Sequence, residues 1–370
     1  YLATDWYIDQ MVRPAYDSPS LPITWPRVDY CSGTNDYVAI EPSLKQDLKE
    51  FYAQHPDEAR AMYGDNPFEL KNVLKYWVRE GKDEDGSHVI PTDTLYLTVD
   101  KDAVRKSGMM MASDTIPDHM VISLTGKRAL YKNDLMLLEM LANANWTRPL
   151  YVALTVGQEN YMNLGDNFVQ EGLVNRITPF TTTVDGRPVP GAKNFDTERT
   201  YNNAMKRFKF GGLDQKGLYL DETVLRMCYT HKRLFASLAS NLIQEGKKQK
   251  AKEVLQYLNK VMPTYNVPDS YMSGGIELAR CYALVGMKKE ASATINAMWN
   301  ECCQYMTWYN NLDMIRFSQS MRECQTQIYI MQSIFDVADT FDHAMAQKMA
   351  KQFSQIAATF EMRGGHLPEY

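Results

Sequence analysis

The chain has 370 residues, so a prior of roughly 150 residues per domain favours two domains over one. Forty Lys and Arg against 45 Asp and Glu leave a net charge of -5, with no basic excess to neutralise phosphates, which argues against a nucleic-acid partner. A 45% hydrophobic and 23% charged composition excludes a disordered or collagen-like chain, and no apolar run approaches the roughly 18 residues of a bilayer span.

In chain order, Thr4 to Met11 reads as a short helix, followed by extended chain punctuated by Pro14, Pro19, Pro22 and Pro26. Tyr37 to Glu41 is a strand candidate. Ser43 is placed to cap a helix whose Leu44, Leu48 and Phe51 share one face, and two further helices are expected near Pro56 to Met62 and Pro67 to Glu80. Asp85-Gly86 is a turn dipeptide and Thr94 to Val99 a strand, which predicts a hairpin or sheet corner. His119 to Leu124, a helix over Asn133 to Ala144 and Pro149 to Val156 then read as strand, crossover helix and strand, with the two strands parallel and adjacent. A further strand is expected over Gly172 to Ile177, and a loop over Val184 to Gly191.

From Asp221 the period is helical: Leu234, Leu238 and Leu242 recur every four residues, and Met345, Met349, Phe353, Ile356 and Phe360 form a second stripe. Leu238 to Leu255 aligns without gaps on Leu278 to Ile295 at an offset of 40, matching Leu238/Leu278, Ala239/Ala279, Gly246/Gly286, Lys248/Lys288 and Ala251/Ala291. This resembles the helix-turn-helix of tetratricopeptide repeats, whose period is about 34. The helices from Leu312 to Phe360 are expected to complete the stack. The predicted organisation is an α/β (mixed sheet) domain over 1–213 and an all-α, tetratricopeptide-like domain over 214–370.

Motifs that carry chemistry are sparse. Thr125 to Arg128 lies where a phosphate loop would, but Val121 and Arg128 occupy the positions that need Gly and Ser or Thr, so an ordinary turn is the better reading. Lys82 to His88 fails as a calcium loop because Gly81 and Thr92 stand where Asp and Glu are required. Cys31, Cys228, Cys281, Cys302, Cys303 and Cys324 show no zinc spacing and read as free buried thiols. There is no H-E-x-x-H and no G-x-S-x-G. Asp5 and Asp9 share a helix face, as paired carboxylates do in glycoside hydrolysis, although an exposed helix start accounts for them equally well. Twenty-three Tyr and six Trp lean weakly towards a carbohydrate or peptide partner. No cofactor or metal is indicated.

Four segments carry a resemblance: Tyr1 to Met11, Asn145 to Gly157, Phe168 to Phe180 and Thr197 to Leu213. In order and spacing they resemble the C-terminal part of a Gram-negative family of multi-spanning membrane proteins, the protein O-mannosyltransferase-like glycosyltransferases of the GT-C class, and the likeness spans essentially the whole chain. It implies a soluble segment excised from behind a block of membrane helices, on the periplasmic face of the inner membrane. The implied partners are that membrane-spanning part and an acceptor protein or peptide; the implied role is accessory, positioning acceptor or glycan or supporting assembly, with catalysis in membrane-side loops. A self-contained sugar-processing enzyme is the alternative. The motif positions include Asp5, Trp6, Tyr7, Asn145, Arg148, Pro149, Tyr151, Glu171, Gly172 and Arg176. Trp6, Tyr7, Arg148, Tyr151, Glu171 and Arg176 are the candidate substrate or partner contacts, with Trp6, Tyr7 and Arg148 bordering a groove. The competing structural reading makes Arg148, Glu171 and Arg176 an ion-pair network.

Overall fold

The computed structural model describes residues 2–81, 88–111, 115–184 and 187–367. It divides into two compact units, Tyr1–Asp196 and Thr197–Tyr370. The turn expected at 85–86 and the acidic segment weighed as a calcium loop fall at 82–87, outside the described residues.

The first unit is mixed α/β with small sheets. Its helices are α1 (Asp5–Met11), α2 (Arg27–Tyr30), α3 (Leu44–Gln54), α4 (Pro56–Tyr63), α5 (Leu70–Asn72), α6 (Lys101–Ser107) and α7 (Lys132–Ala144), with α5 running on into a wide π-helical turn over Val73–Arg79. Ser43 is itself in helical conformation, φ -58° and ψ -35°, so its hydroxyl does not cap α3 as expected. Asp100 does cap α6, accepting from the Asp102 and Ala103 amides at 3.0 and 2.9 Å.

Strands β1 (Tyr37–Ile40), β2 (Val89–Ile90), β3 (Thr94–Thr98), β4 (His119–Ser123) and β5 (Ala129–Tyr131) build two sheets, one ordered β2-β1-β5 and one β3-β4. Alternation decides the faces: Leu95 and Leu97 on β3 oppose Ile122 and Met120 on β4, and all four are buried, while Val121 between them is exposed. β6 (Tyr151–Ala153), β7 (Phe168–Gln170) and β8 (Val174–Ile177) make a third, antiparallel sheet ordered β6-β8-β7. Within the segment read as a loop, β9 (Thr183–Val184) and β10 (Arg187–Pro188) pair antiparallel; residues 185–186 lie outside the described residues.

The parallel crossover expected around α7 does not form. β4 pairs antiparallel with β3 and β6 pairs antiparallel with β8, in different sheets. After β4 the chain turns at Gly126, φ +85°, and enters β5, so α7 is fed from a strand of another sheet. The turn over Thr125 to Arg128 thus joins two strands. Helix α7 is buried on nearly all sides, with Leu135, Met136 and Leu138 fully enclosed, and forms the centre of the unit's apolar core.

The second unit, among the described residues, carries helices and no strand: α8 (Thr197–Asn202), α9 (Glu222–Gln244), α10 (Lys248–Val261), α11 (Gly275–Leu284), α12 (Lys288–Asn310), α13 (Met314–Gln319), α14 (Met321–Phe341) and α15 (His343–Met362). The sequence echo becomes matched turns. Gly246 and Gly286 both adopt left-handed φ, +75° and +79°, and at both sites a 6→1 bond closes the helix: Lys247 to the Leu242 carbonyl and Met287 to the Tyr282 carbonyl, each 2.8 Å. Ala239, Ala251, Ala279 and Ala291 are fully buried, which lets paired helices approach.

The units divide at Asp196, earlier than the change near Leu213 expected from sequence. The reason is local: Thr197 donates to Glu245 at 3.0 Å, and Glu198 pairs with Lys247 and Lys250 at 3.0 and 3.4 Å, fastening α8 to the α9–α10 turn.

Candidate functional site

The third sheet forms one wall of a cavity of about 720 Å³, within the size range of small-molecule sites. Asn175, on the central strand β8, lies opposite Gln170 on β7, and the pleat puts Phe168 on the same face. All three line the cavity. The remaining wall comes from the β4–β5 turn through Ser123 and Thr125, from the segment Gln158–Asp166, and from Thr182, Thr183 and Asn194.

Two consecutive non-glycine residues below the cavity, Met162 and Asn163, have left-handed φ of +54° and +57°. Such backbone costs of order 1–2 kcal/mol per residue and persists only where its surroundings fix it. Met162 is buried, and the Asn163 carboxamide donates to the carbonyls of Ser123 and Thr125 at 3.1 and 3.2 Å, tying this wall to the end of β4. Tyr161, just before them, is half-buried and packs edge-on against Phe168, ring centroids 5.0 Å apart.

The chemistry of the lining is uncharged but for one group. Gln158, Asn163, Gln170, Asn175 and Asn194 supply carboxamides; Ser123, Thr125, Thr182 and Thr183 supply hydroxyls; among the described residues Asp166 is the sole acidic or basic side chain. The Asp166 side chain accepts a hydrogen bond from Thr183, and its carbonyl accepts from the Thr182 amide at 2.7 Å. Such a wall can grip a polyhydroxylated or amide-bearing molecule, and among the described residues it offers no general acid–base pair. Among the described residues no group of three or more His, Cys, Asp or Glu is arranged to hold a metal ion, and no helix is long and apolar enough to cross a membrane.

The residues singled out from sequence fall into three places. Tyr151, Glu171 and Arg176 come together on the face of the sheet opposite Asn175. Tyr151 donates to Glu171 at 3.1 Å, Arg176 pairs with Glu171 at 3.4 Å with both groups buried, and the guanidinium lies 6.0 Å from the centre of the Tyr151 ring. Arg148 is not in this network: it donates to the carbonyls of Ser20 and, at 3.2 Å, Pro19, pinning the proline-punctuated chain. Trp6, 58% exposed, and half-buried Tyr7 stand edge to face on α1, centroids 6.0 Å apart.

The paired carboxylates have separate structural duties. Asp5 accepts from the Ser32 amide and hydroxyl at 2.8 and 3.1 Å; Asp9 accepts from Tyr30 and Arg27 at 2.9 and 3.1 Å. Lys132, almost fully buried, reaches both Asp5 and Asp36. These partners, chiefly the Ser32 amide for Asp5 and the Tyr30 hydroxyl for Asp9, hold both carboxyls below their ordinary range.

The family model for TMEM260-associated domain 2 matches residues 1–199. The chain belongs to that family. The match ends three residues past the first compact unit and contains every residue lining the cavity. No curated protein and no solved structure is significantly similar to the chain. The cavity is inconspicuous in the sequence because Asn175 and Gln170 sit beside the more prominent Arg176 and Glu171. The one local signal was the cluster of Asn, Gly and Asp over Asn160 to Asn167, which demands irregular backbone.

Proposed function

We propose that this chain is an accessory, non-catalytic segment of a membrane-bound glycosyltransferase-like protein, facing the periplasm and holding a glycan or acceptor for chemistry performed elsewhere. The observation that carries the reading is the cavity on the β6-β8-β7 sheet, which is amide-rich, nearly uncharged and without an acid–base pair. A site that binds but does not react needs hydrogen-bonding capacity on a rigid support, and Asn175 on a central strand meets that need. The helix pairs of the second unit, read as tetratricopeptide-like, would serve assembly with the membrane-spanning part or with acceptor protein. Exposed Trp6 beside Tyr7 is a candidate contact for the same partners.

The test is glycosylation by the full-length parent protein carrying Asn175→Ala or Tyr161→Ala. Product formation is expected to fall at least fivefold at limiting acceptor, with the thermal transition of the isolated chain moved by no more than a few degrees, as for surface changes of about 0.5 kcal/mol. Unchanged product formation would remove the accessory reading, and turnover by the isolated chain would replace it with an enzymatic one.

A further inference from the structure

The composition of the cavity wall selects among ligand classes. Among the described residues no Lys, Arg or His lines it, so phosphate, carboxylate and nucleotide ligands find no counter-charge there, and Asp166 would repel them. An extended peptide added to the sheet is also disfavoured at β7. Its outer edge is already used: the Gln170 amide donates to the Asn194 carbonyl at 2.8 Å, and the Asp196 amide donates to the Gln170 carbonyl at 2.9 Å.

We infer that this cavity binds a neutral pyranose unit of a glycan, with Tyr161 as the stacking surface and the Asn175 carboxamide as the principal hydrogen-bonding group. The inference deepens the preceding reading and rests on it in one respect, that the cavity is the chain's ligand site.

Three observations support it. The Asn175 carboxamide is half-buried and has no hydrogen-bond partner among the described residues, so it offers a donor and an acceptor on one rigid strand. A sugar hydroxyl is likewise both donor and acceptor, and a carboxamide can engage two neighbouring hydroxyls at once. Tyr161 gives the wall an amphipathic ring, its orientation held by Phe168 at 5.0 Å, against which the C–H face of a pyranose can lie. Two further polar groups of the wall are already ordered, Asn163 by two carbonyls and Asp166 by Thr183, so these side chains lose little freedom when a ligand arrives.

Ligand-detected NMR and titration of the 370-residue chain with glucose, galactose, mannose and N-acetylglucosamine test the inference, with glucuronic acid and glucose 6-phosphate as charged counterparts. At least one neutral sugar is expected to bind with a Kd of about 1 mM, and the charged sugars at least tenfold more weakly. Asn175→Ala and Tyr161→Ala should each weaken binding at least tenfold. Gly165→Met removes no polar group, stands at a position without left-handed backbone and places a side chain on the cavity wall beside the Tyr161 ring, its Cβ 3.8 Å from the ring Cδ2, so it should block the stacking face and weaken binding at least tenfold in a chain with an unchanged thermal transition. No saturation by any neutral sugar up to about 20 mM, or equal binding by Gly165→Met, would overturn the inference. Sugar binding without an effect of Asn175→Ala on glycosylation by the parent would leave this site standing and remove the accessory reading. The opposite pair of results would keep the accessory reading and remove the sugar.

Discussion

Lys232 and Asp269, 37 positions apart in the chain, meet at 2.6 Å inside the helical unit. The ammonium also donates to the Val267 carbonyl at 2.6 Å, and Thr294 donates to the second carboxylate oxygen at 2.6 Å. One buried charge pair thereby joins α9, the connection to α11, and α12. Lys232→Met would leave the Asp269 carboxylate enclosed without its counter-ion, and a loss of about 3–5 kcal/mol is expected in urea unfolding followed by circular dichroism. The double variant Lys232→Met with Asp269→Leu should recover a large part of that loss; additive losses would show that packing, and not the stranded charge, sets the cost.

The matched turns allow an internally controlled measurement. A Cβ built on Gly246 or on Gly286 meets no atom within 4 Å, so replacement by Ala is opposed only by the left-handed backbone. Gly246→Ala and Gly286→Ala are each expected to cost about 1 kcal/mol, equal within a few tenths. Gly275→Ala is expected to cost several times more, because its Cβ would stand 2.5 Å from the Met298 sulfur and 2.7 Å from the Ser270 carbonyl oxygen. Equal melting temperatures for all three variants would contradict this ordering.

All six cysteines are free, and Cys228, Cys281, Cys302 and Cys324 are buried. Burial pushes the Cys281 and Cys302 thiols up to about 12 and the Cys324 thiol to about 11, which leaves almost no thiolate near neutral pH. Alkylation at pH 7.5 followed by mass spectrometry should add no more than two labels, at half-buried Cys31 and Cys303, to the native chain and six after denaturation. Three or more labels added rapidly to the native chain would contradict the packing described for the helical unit.

Acid should destabilise the first unit in a defined window. The Asp36 carboxyl is held below its ordinary 3.8, first by the Lys132 hydrogen bond and then by the Gly33 amide; Asp5, Asp9 and Asp93 are lowered as well. Carboxylates lowered on folding bind fewer protons in the native state than in the unfolded chain. Their contribution is therefore complete above the unfolded value and lost as pH falls through the folded ones. The melting temperature is expected to be nearly level from pH 7 to about 5 and to drop below about pH 4. Lys132→Met should lower the plateau and flatten the part of the acid limb that Asp36 and Asp5 contribute, leaving the part from Asp9 and Asp93; an unchanged limb would show that Lys132 does not set the Asp36 carboxyl.

Much of the architecture was legible because it rests on short-range periodicity. The alternation of Leu95, Leu97, Met120 and Ile122 specifies a half-buried pair of strands, and the glycine at offset 40 specifies two equivalent helix ends. The partner of a strand is a different matter. Nothing in Pro149 to Val156 says that only Tyr151–Ala153 will be strand or that β8 will lie beside it, since a βαβ unit and a chain of hairpins share the same local pattern. The cavity was less legible still. Asn175, Tyr161 and Thr125 come from three separate segments, and amides without periodicity look like ordinary loop and strand residues until the sheet assembles them. Arg148, a conspicuous cation in the sequence, clasps two backbone carbonyls, a role that no local pattern announces.

The strip from Asn194 to Asp196 has a practical consequence for cutting the chain. It is the last element of the first unit, and it occupies the free edge of β7. A polypeptide stopped at residue 193 would present the Gln170 amide and carbonyl bare on an edge strand, which is a template for pairing with a second molecule. One stopped at residue 199, where the family match ends, keeps the edge closed. Light scattering should find the shorter piece self-associating as concentration rises and the longer one monodisperse, so that six residues outside any strand decide colloidal behaviour.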